Sequence, residues 1–596
     1  VKTSAFYHRT ESEYAFLYQP DEFVVRLRTA KNDVAQVFLY YGDPFDQRED
    51  TQGVSQWHYQ TLALNKSLQT QDHQYWEVRL QPTFNRLQYG FVVLGLDQTQ
   101  IFYGELGCAP VTPTTLQTMG NYFRLPYFHD IDRVPNLDWI HHTVWYQIFP
   151  ERFANGDPNN DPAEILAWDI NNRPGRDSYY GGDLQGILDH LDYLQALGFN
   201  GLYLTPIFKA NSNHKYDTVD YFEIDPEFGD KRTLKRLIDG AHQRGMKVML
   251  DAVFNHIGDQ STQWQDVLTH QAQSQFKNWF HIHHFPVTYE ATANFEVGRH
   301  LSYETFAYNP HMPKFNTADP AAAAYLLSVA RYWIEQFDID AWRLDVADEV
   351  DHHFWRQFTT LCRSLKPDFY ILGEAWHNAG PWLNGPEFSG VMNYQLTDLV
   401  TAKFLTKTIS NSDFIARLNQ ATLAYRDQTN ELVFNLLGSH DTPRVLTVAQ
   451  HNLAAVQAAF AFMFCQKGTP CVYYGDEIGM VGGPDPDNRR PMIWQKGQQN
   501  QKMQQFMQAL IQFKKDYALE LAQRPVQWEN SEASDLLQFS RPGATNTLQA
   551  YFNTSQTPQT LTIDPAATIL LSQGGQLNNK TYQLEPDGFV IFRQTK

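Results

Sequence analysis

Hydrophobic and polar positions follow two different rhythms along this chain. Residues 1–121 alternate with a period of two. The runs FVVRLRTA, VAQVFLYYG, YWEVRLQ and LQYGFVVLGL are rich in β-branched and aromatic residues and are separated by Asp, Asn, Gly and Pro turns. That pattern predicts a β-sandwich. From about residue 140, short apolar runs alternate with helical patterns such as DLQGILDHLDYLQALG and KRTLKRLIDGAHQRG. The runs begin TVWYQIF at 143, GFNGLYLTP at 198, KVMLDAVF at 247 and IDAWRLDVA at 339. They continue with FYILGEAW at 369, GVMNYQ at 390, LVFNLLGSHD at 432 and TPCVYYGDE at 469. Eight strand–helix units predict an α/β fold, a (β/α)8 TIM barrel over 122–505. A long insertion at about 257–315 follows the third strand, and its stretch HIHHFPVTYEATANFEVG reads as an irregular lid or small subdomain. Residues 506–596 return to β patterning (LLQFSR, TLQAYFN, QTLTI, GFVIFR) and predict a smaller C-terminal β-sandwich.

One strand breaks its own pattern. In IDAWRLDVADEVDHHFW, residues 339–355, Arg343 and Asp345 sit two apart within an apolar run. Residues i and i+2 of a strand share a face. A cation and an anion therefore share one side of a buried element, either as a structural ion pair or as the lining of a site.

Other strands end in the same way. The third supplies Asp251, Asn255 and His256, the fifth Glu374, and the seventh His440 and Asp441. In a barrel these ends converge on one mouth. Asp345, Glu374 and Asp441 should meet there, with Arg343, His256 and His440 offsetting their repulsion. Glycoside hydrolysis needs such a set. One carboxylate serves as nucleophile or base, and a protonated one serves the leaving oxygen. A third can stabilise an oxocarbenium-like transition state.

The segments DAVFNH, WRLDVA, GEAWH and LLGSHD resemble, in order and spacing, the four signature segments of the alpha-amylase family, glycoside hydrolase family 13. MPKFN at 312–316 is similar to the MPKLN segment of the branch that holds neopullulanases, cyclomaltodextrinases and maltogenic amylases, with Phe315 in place of Leu. The N-terminal β-domain also looks like that branch's extra domain. The resemblance implies that Asp345 is the nucleophile, Glu374 the general acid and then base, and Asp441 a stabiliser of the transition state. It implies that Arg343 pairs with Asp345 and keeps it ionised. It places His256, His440 and a stacking Tyr216 around the sugar before the cut, with Asp485 and Arg489 as further sugar contacts. Glu349 and Trp376 become acceptor-side contacts. Retention would place the Asp345 and Glu374 carboxyls about 5 Å apart. Asp348 stands where the branch has Asn, which bears on water entry and acceptor choice.

NGDPNND offers Asn155, Asp157, Asn160 and Asp161, and GGD offers Gly181 and Asp183. Such oxygen ligands suit Ca²⁺, although composition alone favours a polar turn. The resemblance implies a structural calcium site here and no organic cofactor.

Composition narrows the partners. The 596-residue chain is 42% hydrophobic and 19% charged, as a multidomain globular protein is. Aromatics reach 14%, suiting large cores or rings that stack on sugars. A net charge of -19 argues against nucleic acid and anionic membrane. The four cysteines match no metal motif and are too sparse for a disulfide framework. The N-terminal stretch has no signal-like apolar run, and none of membrane length follows. The expectation is a cytoplasmic, retaining α-glucan hydrolase that cleaves α-1,4 linkages of cyclodextrins, maltodextrins and pullulan or starch, releasing mainly maltose, with transglycosylation as a side reaction. By resemblance it forms a homodimer through its N-terminal domain. The alternatives are an α-1,6-glucosidase or transglycosylase of the same family, or a non-catalytic glucan-binding protein on the same barrel.

Overall fold

A computed structural model describes residues 1–49, 51–169, 171–288, 299–529, 535–578 and 581–596. All eight expected barrel strands are present: β1 (Trp145–Ile148), β2 (Gly201–Leu204), β3 (Lys247–Ala252), β4 (Ala341–Leu344), β5 (Tyr370–Gly373), β6 (Gly390–Val391), β7 (Phe434–Asn435) and β8 (Thr469–Tyr473). They form one parallel sheet in the order β6-β5-β4-β3-β2-β1-β8-β7. A parallel bridge from Met392 to Phe434 closes the ring. Closure leaves no free sheet edge.

Register explains the interior. Met249 pairs with Ala341, and Ala341 with Tyr370. These residues belong to a buried cluster with Trp145, Tyr203 and Phe434. Each such aromatic removes 150–250 Å² from water, worth roughly 4–6 kcal/mol at about 25 cal/mol per Å². Two residues further along, Asp251 pairs with Arg343. The ladder runs on past the strand ends: Asp345 N–H donates to Ala252 O at 3.0 Å and Glu374 N–H to Leu344 O at 3.0 Å. The period-two step thus lifts the chain from an apolar layer to a charged one.

The helices follow from their caps and stripes. In Lys231–Gln243, Leu234, Leu237, Ile238 and Ala241 are buried at helical spacing, and Asp230 caps the first turn through Thr233 N–H. Pro320–Phe337 starts with Pro after an Asp319 cap and stops at Asp338 in the left-handed region, φ 59°. The helical pattern DLQGILDHLDYLQALG, from 183, breaks at His190 into Leu184–Asp189 and Leu191–Leu197.

The insertion after β3 returns to it through a bridge between His256 and Lys314, and pairs Phe280 with Phe315 and Ile282 with Tyr303. Of HIHHFPVTYEATANFEVG, residues 289–298 lie outside the described residues. The C-terminal region forms one six-stranded antiparallel sheet rather than two, because the long strand Thr581–Thr595 pairs with three others. Among the described residues, no helix is long and apolar enough to cross a membrane.

A separate compact unit comprises Val1–Asn136 and Ile409–Asn430. Two antiparallel sheets enclose its core: Val25, Leu27, Trp76 and Val78 face Val37, Leu39, Phe91 and Val93. Buried Arg26 ties the two chain segments together, pairing with Glu77 at 2.6 Å and Asp427 at 2.5 Å.

Candidate active site

Arg343 is the centre of the charged layer. Its guanidinium is fully buried and meets three carboxylates: Nη1 reaches Asp345 at 2.7 Å and Asp251 at 3.0 Å, and Nη2 reaches Glu374 at 2.9 Å. The planar fork of arginine suits this shared geometry, which a lysine point charge would not reproduce. The expected Arg343–Asp345 pair is therefore one contact of a four-member cluster. One residue beyond Asp345, Val346 sits at φ 47°, ψ 44°. That conformation is strained for a β-branched residue, and such strain concentrates at functional sites. Here it aims the Val346 N–H at Glu374 Oε2, 2.9 Å away. Trp376 Nε1–H donates to the other oxygen, Oε1, at 3.2 Å.

A chain of neutral hydrogen bonds flanks this cluster. Gln147 Nε2–H donates to His440 Nδ1 at 2.9 Å, leaving the other ring nitrogen to face Tyr216 Oη at 2.7 Å and Asp441 at 3.2 Å. Tyr216 and Tyr203 hydroxyls donate to Asp251 Oδ2 at 3.0 and 2.8 Å. The Tyr216 ring stacks on His440 with centroids 5.3 Å apart. Arg489 reaches Asp485 at 2.9 Å, Asp441 at 3.6 Å and the His440 carbonyl at 2.9 Å. Asp345, Glu374 and Asp441, together with Tyr216, Arg343, His440, Asp485 and Arg489, thus form one connected set.

Three other expected contacts lie at its margin. Trp376 is 50% exposed, with its ring flat on Tyr394 at 3.7 Å, which leaves the opposite face open to a sugar. Glu349 pairs with Lys314 at 3.0 Å, and Lys314 also donates to the Glu349 carbonyl and to Asn255 Oδ1. His256 donates to the Tyr216 carbonyl at 3.1 Å and lies against Phe306.

The electrostatics follow from burial and imbalance. Burial raises the proton affinity of Asp345 well above the usual carboxylate range; Arg343 opposes this, while Glu374 and Asp251 add to it. Arg343, expected to keep Asp345 ionised, thus works against burial in the free site. Burial likewise pushes Asp251 up to about 6 against the pull of Arg343. Three carboxylates around one cation leave surplus negative charge, which adds to burial in raising Asp345 and Asp251. Burial drives His256 down to about 3 and His440 well below its usual value, so both are neutral donors or acceptors near neutral pH.

Sequence reasoning assigned no role to Gln147, Tyr203 or Lys314. Gln147 and Tyr203 lie on β1 and β2, and a polar group two residues past Trp145 was the available signal for the first. Lys314 lies within the quoted MPKFN, but its reach to Glu349 depends on the return of the insertion.

The loop at 155–183 is oxygen-rich. Asn155 Oδ1 and Asn160 Oδ1 are buried without hydrogen-bond partners. Asp161 Oδ1 accepts from Asn155 Nδ2 at 2.7 Å, and a Cβ on Gly181, at φ 79°, would lie only 2.3 Å from that oxygen. Asp157 caps its own turn through Asn159 N–H at 3.1 Å. Asp183 accepts from Gly156, Asp157 and Gly186 N–H groups at 3.1, 2.8 and 2.6 Å, and from Asn160 Nδ2 at 3.2 Å. Among the described residues, no group of three or more His, Cys, Asp or Glu is poised to hold a metal. A cation here would depend on amide and backbone oxygens as well. The two orphaned amide oxygens fit a hard cation.

Buried carboxylates gathered on one guanidinium at the mouth of a parallel barrel suit glycoside hydrolysis. The comparisons agree. Residues 147–541 match the alpha amylase catalytic domain, and residues 1–129 match the alpha amylase N-terminal ig-like domain. The chain therefore belongs to the alpha-amylase family, in its cyclomaltodextrinase, maltogenic amylase and neopullulanase branch. It is 45% identical over 564 residues to an intracellular maltogenic amylase of Bacillus subtilis, covering 94% of this chain and 93% of that one. It is 47% identical over 517 residues to a cyclomaltodextrinase of Geobacillus thermopakistaniensis (strain MAS1), covering 87% and 85%. A solved cyclomaltodextrinase structure superposes with a TM-score of 0.90 at 36% identity, covering 100% of both chains.

Proposed function

We propose that this enzyme is a retaining α-glucan hydrolase that opens cyclodextrins and cuts maltodextrins at α-1,4 linkages, releasing mainly maltose. The observation that carries the reading is that Arg343 sits between Asp345 and Glu374, Nη1 hydrogen-bonded to the first and Nη2 in ion-pair contact with the second. Retention needs the two carboxyls close, with no water between them. In this reading Asp345 acts as the nucleophilic carboxylate, held by the shortest of Arg343's contacts, and Glu374 acts as the acid. Asp345 attacks the anomeric carbon while Glu374 protonates the leaving oxygen. Glu374 then takes a proton from water as that water hydrolyses the ester. Asp441, held by His440 and Arg489, engages sugar hydroxyls that tighten in the transition state. Tyr216 stacks beneath the sugar before the cut, His256 hydrogen-bonds it, and the open face of Trp376 receives the sugar after it.

We read the oxygen-rich loop as a structural calcium site held by Asn155, Asn160, Asp161 and Gly181, with Asp157 and Asp183 shaping the loop around them. The bound ion would crosslink the two chain segments, and no chemical step uses it. We also infer a cytoplasmic homodimer; the name of the Bacillus subtilis relative supports the location. In the N-terminal unit, exposed Phe45 and Phe84 flank Arg86 at 5.0 and 4.9 Å, an apolar patch that suits a second copy. Sedimentation at micromolar concentration tests this: a monomer would end the dimer reading.

The deciding experiment incubates the enzyme separately with β-cyclodextrin, soluble starch and pullulan, with Glu374→Gln as control. Fast cyclodextrin opening to maltose with slow starch attack supports the proposal. Panose from pullulan adds a neopullulanase-type activity. Products no different from the control on all three substrates would overturn the hydrolase assignment for them.

A further inference from the structure

Glu374 depends on two donors carried by different loops. Val346 N–H comes from the turn after β4, and Trp376 Nε1–H from the loop after β5. Neither loop is a regular element at that point, so something must fix one against the other. Two residues past Val346 is Asp348, and one past Trp376 is His377. His377 Nε2 lies 3.0 Å from Asp348 Oδ2, within ion-pair distance. The other ring nitrogen of His377 faces the Asn378 carbonyl at 3.2 Å. Asp348 is the more covered partner, its side chain 22% exposed against 60% for His377. The Ala347 carbonyl beside it is pinned by Trp355 Nε1–H at 2.8 Å. The His377 ring is backed by Trp382 at 6.1 Å. Partial burial pushes the Asp348 carboxyl up, His377 pulls it down, and the nearby Glu349 and Glu374 push it up further.

We propose that the Asp348–His377 ion pair is a positioning clasp: it locks the β4 and β5 loops together so that both donors stay on Glu374, and it balances the charge on the leaving-group side of that acid. The inference rests on Glu374 as general acid. Neither clasp residue touches the reacting atoms; both act through Glu374. The charged and titratable groups that interact electrostatically with Glu374 include Arg343, Asp345, Asp251, Tyr203, Tyr394 and His440, besides Asp348. Asp348 is the member of this set whose charge His377 offsets.

A clasp of this kind has a signature that simple structural support lacks. Asp348→Asn removes a negative charge near the acid. The alkaline limb of kcat/KM should then move to lower pH. His377→Gln leaves the Asp348 charge unbalanced, and the limb moves to higher pH. Each shift should be about 0.5 pH unit for a partly solvated charge, and 1 M salt should shrink both. Both variants should also lower kcat on β-cyclodextrin by about 3–10-fold with little change in KM, because the lost positioning acts in the transition state. His377→Lys, which keeps a cation, should restore the limb.

The experiment measures these profiles on the full-length enzyme for wild type and all three variants, with melting temperatures alongside. Opposite displacements of the limb at unchanged melting temperature support the clasp. Displacements of the same sign, or no displacement in enzymes that remain folded, overturn it. A parallel assay of Glu374→Gln with α-maltosyl fluoride, whose leaving group needs no proton, separates the two failures. If that variant releases fluoride no better than it cleaves cyclodextrin, the assignment of Glu374 as acid fails, and the clasp fails with it.

Discussion

Replacing Arg343 with Met should destabilise the barrel in a way that depends on pH. The substitution keeps volume but removes the one cation shared by Asp251, Asp345 and Glu374, all within 3.0 Å of it. Breaking a buried ion pair from one side costs about 3–5 kcal/mol, because the partner charge is stranded. The stranded carboxyls relieve part of this by binding protons. Asp345 and Asp251 already sit above the usual carboxylate range, and losing Arg343 raises them further. A carboxyl whose affinity is raised on folding costs about 1.4 kcal/mol per pH unit of that rise, in full above its folded value. The folded state then binds more protons than the unfolded one, so stability falls as pH rises. The deficit should be largest at pH 8 and shrink steadily toward pH 4. Melting temperatures of wild type and variant at pH 5, 6, 7 and 8 measure it. An Arg343→Lys variant should show a smaller and flatter gap, because charge remains although the fork is lost. A gap that is independent of pH, or no gap, would refute the claim that Arg343 neutralises this cluster.

Other outcomes follow from single contacts. If the 155–183 loop holds calcium, adding the ion to chelator-treated enzyme should raise its melting temperature, by about 2.7 kcal/mol of stability at a hundred times the dissociation constant, and Asn155→Ala should abolish the increment. Trp376→Ala removes both a donor to Glu374 and the open aromatic face, so transfer to sugar acceptors should fall more than hydrolysis does; equal losses in a product-ratio assay would count against an acceptor role. Lys514 is fully buried, donates to the Gly468 carbonyl at 3.1 Å, and is driven by burial down to about 7. Lys514→Met should therefore stabilise the protein by a few kcal/mol at pH 7 and below, with the gain fading as pH rises toward 10. A gain that does not change between pH 6 and 10 would show that the ammonium is not the cause.

Much of this was legible in the chain. The eight strands could be read because parallel barrel strands are continuous apolar runs, and their polar ends marked the mouth. Arg343 and Asp345 were flagged by period two alone. Other features were hidden for identifiable reasons. That Ile409–Asn430 joins the N-terminal unit depends on Asp427 meeting Arg26, a contact 401 residues apart that no local pattern encodes. The left-handed conformation of Val346 contradicts the preference of a β-branched residue, so a propensity argument points away from it. The three-way sharing of Arg343 requires the β3–β4 and β4–β5 registers, which alternation constrains only to within two residues. The Asp348–His377 pair joins two loops, where spacing carries no information.

The most direct test of the central claim is to find where the sugar becomes attached. Glu374→Gln is incubated with α-maltosyl fluoride, quenched in acid, digested and analysed by mass spectrometry. The account predicts a maltosyl ester on the peptide containing Asp345, and on Asp345 itself. A label on any other residue, or fluoride release with no labelled peptide, would contradict it.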